Sequence, residues 1–173
     1  MVSLTDATAE KRHDGTLWSL TVFGVVSLAL LLIGGWLTYA GMGPWYDQLN
    51  FPPYQPPPWV FTPAWIVVLS LLAVATWQVA SNGDRHRLAF ALYGAQCVLN
   101  AGWSLLFFTL RRPDAALWEL IVLDVVLLLM ILLYFRVRTS AGLLLVPYFL
   151  WLLYATAISG WITPDDVVAH DRL

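Results

Sequence analysis

Gln96, Asn100, Trp103 and Phe107 follow one another at intervals of four, three and four residues. That spacing stacks them turn on turn along one face of an α-helix. Two carboxamides and an indole beside a phenyl ring offer hydrogen-bonding groups next to flat aromatic surfaces, a chemistry suited to holding a ligand. Tyr148, Trp151, Ala155 and Ile158 share a helical face in the same way, beside Pro147, which removes a backbone donor and favours a kink. For the amides the alternative is hydrogen bonding between helices, and for the tryptophans packing in a core; the sequence leaves both open. Glu119 and Asp124 are the acids embedded in an apolar run, and their spacing of five turns them about 140° apart on a helix, so they do not form a paired-carboxylate site. Glu119 lies close to Arg111 and Arg112, where a salt bridge or snorkelling would account for it. Asp124 reads as a polar contact between helices or a proton-sensitive element. His13, His86 and His170 are scattered, and Cys97 is the single cysteine, so neither a metal site nor a disulfide is expected. No nucleophile–base pair or phosphate-binding loop is present.

These residues sit in a chain of 173 residues that is 60% apolar and 12% charged, far from the roughly 25% charge of soluble domains. A crossing of the hydrocarbon core takes about 20 apolar residues, and five runs qualify: about 16–39, 59–80, 88–110, 115–135 and 140–162. The fold class is therefore an all-α integral membrane protein, a five-transmembrane-helix bundle forming one domain over 16–162. Polar tails, 1–15 and 163–173, flank it. The first run is longer than the apolar stretch of a signal peptide and lacks a small-residue cleavage site, so it is expected to be a retained span. Short connections after the second, third and fourth runs suggest that successive helices are antiparallel neighbours.

Lys11, Arg12, Arg85, Arg87, Arg136 and Arg138 fall on one side of such a bundle, and Arg111, Arg112 and Arg172 on the other. The positive-inside rule then places the N-terminus in the cytoplasm, for a multi-pass protein of a bacterial cell membrane. With formal net charge −2 and no basic stripe, nucleic acid is not an expected partner. The loop 41–58 holds six of the ten prolines, which makes it a stiff, extended lid over one end of the bundle. Ala91 and Ala95 beside Gly94 form a small-residue face that suits either a homodimer or close packing within the monomer.

Three ordered segments carry a family resemblance. The stretch from Trp45 to Trp65 resembles the TspO-family pattern W-Y-x-x-L-x-K-P-x-W-x-P-P-x-W-x-F-x-x-x-W. Gln96, Asn100, Trp103-Ser104 and Phe107-Phe108 resemble its third-helix pattern, and Pro147-Tyr148-Phe149-Leu150-Trp151 its fifth-helix P-Y-x-x-W. Phe51 stands where the family usually has Lys, Leu69 where many members have Tyr, and Thr109 where the family has Gly after the two phenylalanines.

The resemblance implies a membrane receptor or transport-type protein binding tetrapyrroles, such as protoporphyrin IX and haem-related porphyrins, or other hydrophobic small molecules between its helices. The tetrapyrrole is a ligand; no cofactor is expected. Ligand contacts are expected at Tyr54, Trp59, Trp65, Asn100, Phe107, Tyr148, Trp151 and Ala155, with Trp65 and Trp151 implicated most directly. The alternatives are light- and oxygen-dependent porphyrin degradation, in which the same two tryptophans would be catalytic, and a structural or regulatory membrane partner with no ligand.

Overall fold

The computed structural model describes residues 4–82 and 86–162, with side chains from residue 18 onward in the first helix. Among these residues the chain forms α1 (Leu4–Gly41), α2 (Pro44–Asp47), a 3-10 turn (Pro58–Val60), α3 (Phe61–Ala80), α4 (Arg87–Ser104), a π turn (Leu105–Thr109), α5 (Pro113–Val137) and α6 (Thr139–Trp161). Five of these segments have the length and apolar character to cross a membrane: Trp18–Gly41, Pro58–Ala80, Arg87–Thr109, Pro113–Val137 and Thr139–Trp161. In lipid a helix satisfies its backbone polar groups internally, which is why apolar runs of this length take that form. The backbone of residues 4–15, expected as a tail ahead of the first span, continues α1 as helix. The expected tail at 163–173, with Arg172 and His170, lies outside the described residues, as does Arg85.

Each spanning helix packs on two neighbours, closing a ring in the order α1, α3, α6, α5, α4. This corrects the expectation that all successive helices are neighbours. α3 and α4 are consecutive, yet α1 lies between them and packs on both. The six residues Ser81 to His86 can reach about 20 Å when extended, enough to pass the ~10 Å width of a helix. The tightest pairing is α5 with α6, joined at the extended Arg138, where Gly142 gives the Phe135 ring room that a Cβ would fill.

The core lies along the ring axis. Leu72, Leu123, Leu127, Met130, Leu145 and Leu152 are fully buried there, while Val98, Leu132, Leu143 and Leu150 face outward to the bilayer. Trp18, Trp36, Trp59 and Trp118 are also exposed and lie toward the ends of the spanning segments, where an indole can sit at the headgroup level. Tyr134 is fully buried and donates to Thr76 Oγ1 at 3.1 Å, joining α5 to α3. Ala91, Gly94 and Ala95 are exposed on α4, so among the described residues no other helix covers this small-residue face.

The π turn that ends α4 is closed by Leu110 N–H donating to the Leu105 carbonyl at 2.9 Å. The wider turn buries Phe107 and Phe108 together, although they are adjacent in sequence. They form a platform on which the 41–58 loop anchors Trp45 and Leu49, each about 5% exposed. Arg111 follows at φ 51°, in the left-handed region that costs a non-glycine residue about 1–2 kcal/mol. Its guanidinium sits 5.8 Å from the centre of the Trp45 ring, while Arg112 forms a two-bond pair with Asp114. That pair raises the Arg112 pKa above its ordinary value, chiefly through the hydrogen bonds. Burial pushes the Tyr46 phenol up, so it stays neutral where it accepts a hydrogen bond from Gln55 Nε2.

Gly41 is what lets α1 reach this platform: a Cβ there would meet the Phe108 backbone carbonyl at 2.5 Å. Because that obstacle is backbone, Gly41→Ala is expected to push the end of α1 off the π turn and cost about 1–3 kcal/mol as an overpacking change. Thermal unfolding in detergent will show this as a lowered Tm; an unchanged Tm would mean that the α1 contact does not hold the platform.

Candidate ligand-binding site

Apolar surroundings make an unpaired amide costly, so the polar face of α4 needs partners inside the bundle. Asn100 Nδ2 donates to Tyr148 Oη at 2.8 Å, and the same hydroxyl donates to Gln96 Oε1 at 3.0 Å. All three side chains are buried, Gln96 and Tyr148 completely. The bonds bridge α4 and α6 through the interior of the ring. Both readings of the amides therefore meet in one place, because Asn100 also lines a cavity directly beside this bridge.

That cavity is lined by Trp65 of α3, Asn100 and Trp103 of α4, Leu120 and Leu123 of α5, and Ala155 of α6. Its free volume is ≈ 10 Å³, room for about one water molecule. The aromatic wall is built edge to face. Trp65 meets Tyr148 at 6.1 Å and Trp151 at 6.5 Å between ring centres, with interplanar angles of 72° and 89°. Trp151 continues the series outward to Phe61 at 5.7 Å and Tyr154 at 5.9 Å. Such pairs are a preferred arrangement of aromatic quadrupoles.

Several polar atoms around this region are buried yet have no hydrogen-bond partner among the described residues: Trp103 Nε1, Trp151 Nε1, both carboxylate oxygens of Glu119, and Asp124 Oδ1. Asp124 Oδ2 accepts from Thr156 Oγ1 at 2.7 Å, so this acid does make a polar contact between α5 and α6. Glu119 does not pair with the nearby arginines. Arg112 is occupied by Asp114, and Arg111 lies over Trp45, leaving Glu119 against α4 at Gly102.

Of the eight expected contact residues, Trp65, Asn100 and Ala155 line the cavity, and Tyr148 and Trp151 adjoin it through ring contacts and the hydrogen-bonded bridge. Phe107 is drawn by the π turn into the loop platform, where it stacks on Trp103 at 5.3 Å and meets Trp45 at 5.8 Å. Tyr54 sits over the end of α6, donating to the Ala157 carbonyl at 3.3 Å and accepting at its own carbonyl from Tyr154 Oη at 2.6 Å. Trp59 is 74% exposed and lines an open groove on the outside of α3 and α6. Leu120 and Leu123 were not singled out from the sequence; their signal was the buried series Ala116, Leu120, Leu123, Leu127 at helical spacing. No group of three or more His, Cys, Asp or Glu side chains could hold a metal ion among the described residues.

The family model for TspO/MBR matches residues 17–162, which takes in all five spans, the proline-rich loop and the cavity. The chain belongs to the TspO/MBR family. It is similar to the tryptophan-rich protein TspO of Archaeoglobus fulgidus, with 35% identity over 134 residues that cover 76% of this chain and 86% of the relative. The tryptophan-rich sensory protein of Cereibacter sphaeroides is 37% identical over 116 residues, covering 66% of this chain and 72% of its own. The translocator protein of Bos taurus is 28% identical over 128 residues, covering 72% and 76%. With the five apolar helices, this membership makes the chain a multi-pass membrane protein.

The α4–α6 bridge has a testable consequence. Tyr148→Phe removes one hydroxyl but strands two buried amides, and is expected to destabilise the bundle by about 1–3 kcal/mol. Replacing Gln96 and Asn100 by Leu in the same chain removes the stranded groups and should recover part of the loss. If the triple variant melts below Tyr148→Phe, the amides are held by something other than this bridge.

Proposed function

We propose that this protein is a membrane receptor or transport-type protein that binds tetrapyrroles and similar flat hydrophobic ligands in the cavity between its helices. The observation that carries the reading is the convergence of Trp65, Trp151 and Tyr148 beside Asn100, with the indole N–H of Trp151 unpartnered. A porphyrin offers broad π faces to such rings and N–H and carboxylate groups to the unpaired polar atoms around them. Small-molecule sites usually enclose roughly 300–1,000 Å³, so the ≈ 10 Å³ cavity must widen to admit one. The names of the relatives, a sensory protein and a translocator protein, support sensing or translocation as the output.

The membrane is proposed to be a bacterial cell membrane with the N-terminus in the cytoplasm, as the Lys and Arg distribution favours. The uncovered Ala91, Gly94 and Ala95 face supports association of two copies through α4. The Trp65–Trp151 contact favours a second reading, degradation of a bound porphyrin by light and oxygen, because it places two oxidisable indoles side by side. Under illumination in air, Trp65→Phe would then abolish product while retaining binding; undiminished product would remove the role.

The binding reading is tested by titrating protoporphyrin IX into the detergent-purified protein in the dark while following tryptophan quenching. Saturable quenching is expected in the micromolar range. Trp151→Phe should weaken it about three- to tenfold, the equivalent of roughly 0.5–1.5 kcal/mol for one aromatic contact. Asn100→Ala should weaken it in the same direction. Non-saturating curves, or curves that neither change alters, would overturn the assignment.

A further inference from the structure

Three directions out from the small cavity have walls that differ in kind. On one side the interior is closed by the Asn100–Tyr148–Gln96 hydrogen bonds and, beyond them, by Tyr134 on Thr76. At the loop end, Tyr54 is fastened to α6 by two hydrogen bonds, and the loop buries Trp45 and Leu49 on the π platform. The third direction runs sideways between α3 and α6. There the outer surface carries an open groove of ≈ 670 Å³ lined by Pro63, Ala64 and Val67 on α3 and by Pro147, Leu150 and Trp151 on α6.

Trp151 is common to both places: it lines the groove, and its ring meets that of Trp65, which lines the cavity. One pair of indoles therefore separates groove from cavity. Turning Trp151 aside breaks no hydrogen bond, since its Nε1 has no partner. Pro147 interrupts the α6 ladder beside it, leaving the Leu143 carbonyl without its intrahelical donor and the helix easier to bend. At the far end of the same seam Ser140 Oγ donates to Gln78 Oε1 at 2.6 Å, which pins α3 to α6 beyond the groove.

The geometry points to a lateral portal: the α3–α6 groove admits a flat apolar molecule from the bilayer into the cavity, with Trp151 as the gate and Pro147 as the bend. The inference rests on the binding proposed above and adds its route. The groove wall lies within the spanning segments Pro58–Ala80 and Thr139–Trp161, so it faces lipid, where a hydrophobic ligand accumulates. Entry through the loop would break the two Tyr54 bonds, whereas entry here displaces only apolar contacts.

The test measures association and dissociation of protoporphyrin IX with the full chain in lipid nanodiscs by stopped-flow tryptophan quenching. Val67→Cys with Leu150→Cys, in a Cys97→Ala background, is bridged across the groove by a short bis-maleimide; the unbridged double variant serves as the fold control. Bridging is expected to slow both rates by about tenfold or more while the ratio that sets Kd stays within about twofold, because a barrier changes and not the bound state. Ala64→Trp, which fills the groove without chemistry, should slow both rates as well. Gln55→Ala, which loosens the loop, should leave them unchanged. If the unbridged protein binds and the bridged and Ala64→Trp proteins exchange ligand at its rates, or if Gln55→Ala accelerates entry about tenfold, the portal is overturned and the binding reading stands. Absence of saturable quenching in the unbridged protein overturns the binding reading and the portal with it.

Discussion

An unpaired polar group is costly among apolar side chains, and α4 carries two buried amides into such surroundings. The hydroxyl of Tyr148 resolves this by accepting from Asn100 and donating to Gln96, so a single phenol ties α4 to α6 across a ring in which they are not neighbours. The ring order follows the same constraint. With α5 between them on one side, and α1 and α3 on the other, the two helices present their polar faces inward and leave apolar side chains for the lipid. Thr76 with Tyr134, and Asp124 with Thr156, repeat the solution on a smaller scale.

Beside this bridge the packing changes character. Aromatic rings meet edge to face with few hydrogen bonds among them, and the indole nitrogens of Trp103 and Trp151 are left without partners. The interior is thus braced by directional bonds at one level and filled by rings at the next. The polar bridge is held by directional hydrogen bonds, whereas the aromatic layer beside the ≈ 10 Å³ cavity is held by ring packing. The loop contributes differently. Its prolines stiffen it, but its position is set by Trp45 and Leu49 buried on Phe107 and Phe108.

Much of this was legible in the residues. The uncharged runs mark the five spans because length and apolarity alone decide whether a helix can cross a bilayer, and the three ordered motifs point to the family that the match over residues 17–162 establishes. The inward face of α4 was visible in its spacing, since 3.6-residue periodicity holds until the π turn. Within that turn Phe107 stacks on Trp103 and also packs under Trp45 of the loop, a contact that the spacing did not show. For Glu119 the sequence left a salt bridge or snorkelling open, and proximity to Arg111 and Arg112 says nothing of how those arginines are occupied, by Trp45 and Asp114. The neighbour relation of α3 and α4 failed because a six-residue connection fixes direction but not adjacency.

What the sequence determined by itself is the solvent this protein lives in, the number of times it crosses, the faces its helices turn inward and the family to which it belongs, because all of these follow from residue type and period along one chain. What only the tertiary structure decided is which faces meet. Tyr148 stands 48 residues from Asn100 and 52 from Gln96, and Trp65 lies far from Trp151 in the chain. Their contacts, the small cavity beside them and the groove outside Trp151 depend on the ring order of five helices, which is set by the joint packing and hydrogen bonding of all of them at once.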